Sequence, residues 1–191
     1  MHVQPLAIPD VLLIAPRIFG DDRGYFFETF QVDRYARAGM RLPFVQDNLS
    51  MSRRGVLRGL HLQHPHDQGK LVWVPFGAVL DVAVDVRVGS PTFGQWVSAV
   101  IDDKNHHQLY IPPGFAHGFC VTSDTALFAY KCTERYHPET ELGVAWNDPD
   151  LAIPWPMESP ELNAKDRAYP PLRAIDPARL PRYEPPPASR G

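Results

Sequence analysis

A chain of 191 residues has the length of a single domain, and at that size it buries roughly 70% of its unfolded surface without needing a disulfide or a metal to fold. With 44% hydrophobic and 21% charged residues it is not disordered throughout, and a net charge of -3 argues against binding nucleic acid by bulk charge. Two cysteines, Cys120 and Cys132, cannot make a disulfide framework; both lie in strand-like runs and are expected to be buried structural thiols.

Taken in chain order, the first apolar run (residues 11–15) is fenced by Pro9 and Pro16 and is too short for a leader peptide. No stretch approaches the roughly 20 apolar residues of a membrane span. The expectation is a soluble, cytoplasmic protein. Residues 31–39 (QVDRYARAG) form the one clear helical segment, with a second turn expected near residues 161–167. Between residues 45 and 147 the pattern is short strands: 71–74, 78–86, 96–101 and 126–131. Within 78–86, Ala78, Leu80, Val82, Val84 and Val86 take one face while Asp81 and Asp85 share the other. Turns at Gly89-Ser-Pro91, Pro112-Pro-Gly114 and Ser123-Asp124 separate the strands.

No helices lie between the strands, so a βαβ fold fails. The reading is all-β: a cupin-like jelly-roll barrel or sandwich with a few short helices. Ten of the 21 prolines follow residue 150. The division is therefore one jelly-roll domain over 1–173 and a Pro-rich irregular tail over 174–191, not a packed element.

The histidines lead to the chemistry. His61, His64 and His66 stand close together, with Lys70 beyond, and His117 lies in a PPGFAHGF run. That run fits the PxGxxH spacing of the second cupin motif. His64-Pro-His66 fits the first, except that Lys70 occupies the glutamate position. An ammonium there repels a divalent ion and offers no lone pair, so the reading is metal-free acid–base work in the same pocket. His61 and Gln63 alternate against Leu60 and Leu62, which places an imidazole on a polar lining; histidine is the natural base at neutral pH, because the free side chain titrates at roughly 6.5. Tyr130 alternates with Phe128 and Cys132 and reads first as a buried aromatic. Tyr136 opens a loop, where a phenol could stack on a planar ligand. Lys165-Asp166 by itself reads as a surface pair.

Together the segments resemble the dTDP-4-dehydrorhamnose 3,5-epimerase family, in order from about Leu6 to Asp166. They include FGDDRGYFFE (19–28), FVQDNLS (44–50), VLRGLH (56–61), QGKLV (68–72), SPTFGQW (90–96), IPPGFAHGF (111–119), WNDP (146–149) and AKD (164–166). The resemblance implies a homodimeric jelly roll without cofactor or metal, acting on a dTDP-sugar. It implies His61 as base, Asp166 as its partner, Tyr130 as the acid on the opposite face, and Lys70 beside the enolate oxygen. Arg23, Glu28, Gln46, Asp47, Asn48, Arg58, His117, Glu141 and Lys165 would hold the nucleotide, and Tyr136 would stack on the base. Two rivals remain at this point: a relative that epimerises only C3 or moves the ketone, and a metal-dependent or non-enzymatic cupin. The presence of Tyr130 favours the full epimerase.

Overall fold

The strand at 78–85 sets the architecture, because it carries apolar residues on both faces, with Asp81 and Asp85 among those of one face. A strand of that kind belongs in the middle of a sheet covered on both sides. In the computed structural model, which describes residues 1–40 and 43–185, it does so. The strands are β1 (His2–Pro5), β2 (Leu12–Ala15), β3 (Ile18–Asp21), β4 (Gly24–Phe27), β5 (Gln46–Arg53), β6 (Leu57–Gln63) and β7 (Lys70–Phe76). They continue with β8 (Ala78–Asp85), β9 (Trp96–Asp102), β10 (Gln108–Ile111), β11 (Phe115–Val121), β12 (Thr125–Cys132) and β13 (Glu141–Gly143). Two short helices, α1 (Val32–Arg37) and α2 (Ala164–Arg167), fall where the sequence predicts them.

One sheet runs β1-β2-β10-β7-β12-β5, the other β13-β6-β11-β8-β9, and β3 with β4 forms a separate hairpin. The pairings within the two sheets and the hairpin are antiparallel. The result is the expected jelly roll. The two large sheets face each other across a core of Val72, Val74, Val79, Ala83, Phe119 and Phe128. Phe119 and Phe128 stack there at 3.9 Å between centroids. Burying an aromatic of this size stabilises the fold by about 1.5–3 kcal/mol.

Asp81 and Asp85 share a face of β8, as the alternation predicts, and that face is fully buried. It tolerates them because His117 pairs with Asp81, while Arg87, Ser90 and Thr92 bond Asp85. One expectation is corrected: the tail is irregular yet packed as far as the described residues extend. Ile175 and Leu180, with Leu172 before them, close a second core over the outer face of the five-stranded sheet. Tyr183 donates its N–H to the Val88 carbonyl at 3.0 Å, and Val88 donates to that of Pro181 at 2.8 Å. Prolines suit this path because most of its backbone makes no ladder bonds. Residues 186–191 of that stretch lie outside the described residues. Among the described residues, no helix is long and apolar enough to cross a membrane.

Candidate active site

Three strand ends of the larger sheet meet side by side: Lys70 of β7 opposite Cys132 of β12, and Cys132 opposite Gln46 of β5. Two residues along, Tyr130 is opposite Asn48. Period two turns Gln46, Asn48, Lys70, Tyr130 and Cys132 toward the space between the sheets. From the other sheet His61 of β6 stands opposite His117 of β11, and Gly143 of β13 lies opposite His61.

A bulge makes room for one more group. His117 pairs with His61 and Phe119 with Arg58, so two residues of β11 span three of β6. Arg58 and His61, three apart, therefore share a face that strict alternation would deny them. Gly59 allows this with φ +129; a Cβ there would sit 2.5 Å from Gly118 Cα. Arg58 donates to Ser52 Oγ at 3.1 Å.

The densest chemistry is at His61. Its Nε2 lies 2.8 Å from Oδ1 of Asp166; the imidazole is 29% exposed and the carboxylate 0%. Asp166 Oδ2 accepts the Gly59 N–H at 3.1 Å. Asn163 caps α2, its side chain accepting the Asp166 N–H at 2.7 Å, and so fixes where that carboxylate begins. Burial pushes the Asp166 carboxyl up, but the bond and charge of His61 and the Gly59 N–H outweigh it and hold it below its ordinary range. A carboxylate so placed selects the imidazole tautomer and stabilises the imidazolium.

Lys70 is buried, and desolvation lowers its pKa against the raising influence of Cys132, Asp81 and Glu141. Burial likewise raises the Tyr130 phenol, which stays protonated at neutral pH. His117 is buried deeper than a ligand-contacting residue need be. Its Nε2 lies 3.0 Å from both Asp81 oxygens, and desolvation holds its pKa below the ordinary value despite them.

A second cluster surrounds Glu141. Lys165 Nζ reaches its two oxygens at 2.6 and 2.8 Å, Tyr136 donates its hydroxyl at 2.6 Å, and Tyr169 donates at 3.3 Å. Bonding to Glu141 pushes the Tyr136 phenol up to about 12. Burial raises the Glu141 carboxyl, but Lys165 and Tyr136 more than offset it and keep the group low.

The structure thus brings together His61, Asp166, Lys70, Tyr130, Gln46, Asn48, Arg58, Tyr136, Glu141 and Lys165, with His117 behind them. Three expected residues lie elsewhere in this chain. Asp47 is on the opposite face of β5, bonded at 2.9 Å to Lys131, because neighbours along a strand point apart. Arg23 is 90% exposed at the tip of the β3–β4 hairpin and paired with Asp21. Glu28 follows that hairpin and pairs with Arg34 at 2.9 Å. His64 engages Asp67 and His66 stacks on His137. Among the described residues no group of three or more His, Cys, Asp or Glu side chains is arranged to hold a metal ion.

Sequence reasoning missed Asp81, Gln63 and Tyr169. Tyr169 packs edge-on to His61 at 5.8 Å and covers Gly143. Asp81 had a signal, a carboxylate alternating into an otherwise apolar strand.

A carboxylate-backed imidazole facing a desolvated ammonium and a protonated phenol can take a proton from one side of a carbon and return one from the other. Fold and site together define a jelly-roll acid–base enzyme. The family model for dTDP-4-dehydrorhamnose 3,5-epimerase matches residues 5–174, and the chain belongs to that family. A dTDP-4-dehydrorhamnose 3,5-epimerase from Pseudomonas aeruginosa is 54% identical over 169 residues, covering 87% of this chain and 93% of its own. A solved dTDP-6-deoxy-D-glucose-3,5-epimerase from Legionella pneumophila, in complex with dTDP-4-keto-L-rhamnose, superposes with a TM-score of 0.94. It is 52% identical, over 96% of this chain and 99% of that one. A dTDP-4-dehydrorhamnose 3-epimerase from Streptomyces niveus is 44% identical, over 96% of this chain and 90% of its own.

Proposed function

We propose that this enzyme inverts C3 and C5 of dTDP-4-dehydro-6-deoxy-D-glucose, giving dTDP-4-dehydro-L-rhamnose, with His61 as base and Tyr130 as acid. The observation that carries the roles is the His61–Asp166 pair at 2.8 Å, on the opposite sheet from Lys70 and Tyr130. His61 removes the proton on the carbon beside the C4 ketone, and the electron pair moves onto the ketone oxygen. The imidazolium that forms is stabilised by the Asp166 carboxylate. Lys70 pays for its desolvation until the enolate oxygen develops, and that charge then compensates the ammonium. Tyr130 delivers its proton to the carbon from the opposite face, the ketone reforms, and both groups re-equilibrate with solvent. The sequence repeats at the second carbon. No redox partner or cofactor enters the balance.

Tyr136 stacks on the nucleotide base, and Arg58 and Lys165 meet the diphosphate through charge-assisted bonds. Gln46 and Asn48 complete that side of the site. Arg23 and Glu28 act across the interface of a homodimer, reaching the partner's site from the projecting hairpin. The exposed Phe19, Tyr25 and Phe26 of that hairpin are consistent with such a role. The place of action is the cytoplasm.

Incubation with the 4-keto-6-deoxyglucose nucleotide in heavy water tests the reading, with deuterium at C3 and C5 followed by NMR. Incorporation at both carbons with inversion is expected. Label confined to C3 would assign the chain to the 3-epimerases instead.

A further inference from the structure

Tyr136 sits in a segment, residues 133–140, that has little regular structure of its own. Its neighbours are nonetheless tied one after another to residues 63–69, the stretch that leaves the His61 strand. Thr133 donates its N–H to the Gly69 carbonyl at 2.9 Å and accepts the Gly69 N–H on its hydroxyl at 2.7 Å. Gln68 donates to the Glu134 carbonyl at 2.8 Å. The Thr140 carbonyl accepts the His64 N–H at 3.0 Å.

Gln63 supplies the middle of this row. Its side-chain amide donates to the carbonyls of His66 and Arg135, the latter at 2.8 Å, and accepts the His137 N–H at 3.2 Å. The residue is 3% exposed. Its bonds therefore grip the backbone immediately before and immediately after Tyr136. Among the described residues, Tyr136 itself is held by Gln46, which accepts its N–H at 3.0 Å, and by Glu141 at the hydroxyl. The His66 ring lies flat on the His137 ring, 4.2 Å between centroids at 15°, closing the outer side. The loop at 64–66, which fits a metal-binding spacing but joins no metal-holding group of side chains among the described residues, thus has a mechanical use.

The geometry points to Gln63 as a positioning residue that fixes the Tyr136 ring relative to the strand carrying His61, with His66 as its outer buttress. This rests on the reading of Tyr136 as the base-stacking residue. Gln63 touches no reacting atom; it acts through the backbone of Arg135 and His137. A leucine there keeps the bulk but leaves the His66 and Arg135 carbonyls and the His137 N–H without their partner, which frees the segment.

The test is a double-mutant cycle read by titration with dTDP and by steady-state kinetics. Gln63→Leu is expected to weaken dTDP binding and raise KM about tenfold, the scale of one or two hydrogen bonds, while kcat changes less than about threefold. In a Tyr136→Ala background, where stacking is already lost, Gln63→Leu should change dTDP affinity little. The exposed His66→Ala should act in the same direction at about two- to fivefold, which keeps the test open if Gln63→Leu fails to fold. An equal loss in both backgrounds would make Gln63 a general structural residue and overturn the proposal, as would unchanged binding in both Gln63→Leu and His66→Ala. If Tyr136→Ala itself leaves dTDP binding intact, the stacking reading falls, and the proposed role of Gln63 with it.

Discussion

Tyr169 covers Gly143 so closely that a Cβ built on the glycine would lie 2.3 Å from the tyrosine ring. Gly143 stands opposite His61 in the sheet, and the same ring packs edge-on against the imidazole. Gly143→Ala must therefore push Tyr169 away from both His61 and Glu141. A loss of about 1–3 kcal/mol, the usual cost of overpacking, is expected in chemical denaturation. Tyr169→Ala should relieve it, so the double variant should be less destabilised than the sum of the two. Simple additivity would show that the two residues do not share the space.

Tyr136→Ala should raise KM by the equivalent of roughly 1–3 kcal/mol from lost stacking, with a smaller effect on kcat. Tyr136→Phe keeps the ring and loses only the bond to Glu141, so it should lie much nearer the parent enzyme. A collapse of kcat at constant KM would move Tyr136 into the proton-transfer chemistry.

His117 links the site to pH. Desolvation holds its folded-state pKa below the unfolded value of about 6.5. Asp81 opposes that shift, and Lys70 and His61 add to it. The unfolded chain then binds a proton over a range where the folded chain does not. Stability contributed by neutral His117 is present above about pH 6.5 and is lost as pH falls from there toward the folded pKa. His117→Gln should flatten this part of the stability curve below about pH 6.5. Parallel curves for parent and variant across that interval would exclude His117 as its source.

What could be read from the chain differs by element. Alternation in 78–86 and 126–131 located the strands, because a two-residue period needs no knowledge of partners. The helix at Val32–Arg37 was legible from its own residues. Asp166 was not: it lies 105 positions from His61, and Lys165-Asp166 reads alone as a surface pair, so its role came only through family resemblance. Asp47 was named with Gln46 and Asn48 through the family resemblance, although the same alternation that found the strands puts it on the other face. Asp81 was assigned the correct face, but whether that face was dry depended on the second sheet. The tail concealed its packing because Ile175 and Leu180 stand apart on either side of Pro177, in a stretch too short and broken to show a helical or strand period. Gln63 was placed beside His61, yet its work is done on backbone more than 70 residues away.

The two proton-transfer roles separate by isotope exchange. If His61 begins the reaction, His61→Asn should abolish deuterium uptake at both carbons. Asp166→Asn should reduce it less, because the imidazole remains but loses its tautomer partner and the stabilisation of its charged form. Tyr130→Phe should behave differently. Enolate still forms at His61, so the imidazole can exchange its proton with heavy water and return deuterium to the face it came from. Substrate should then acquire label while little inverted product accumulates. General acid–base groups each contribute about 10²–10⁴-fold, so either loss is large enough to measure. Lys70→Met, which leaves the enolate oxygen without its cation, should slow exchange and inversion together. If the His61→Asn variant washed deuterium in at close to the parent rate, the base would have to be another residue, and the pairing of His61 with Asp166 would need a different explanation.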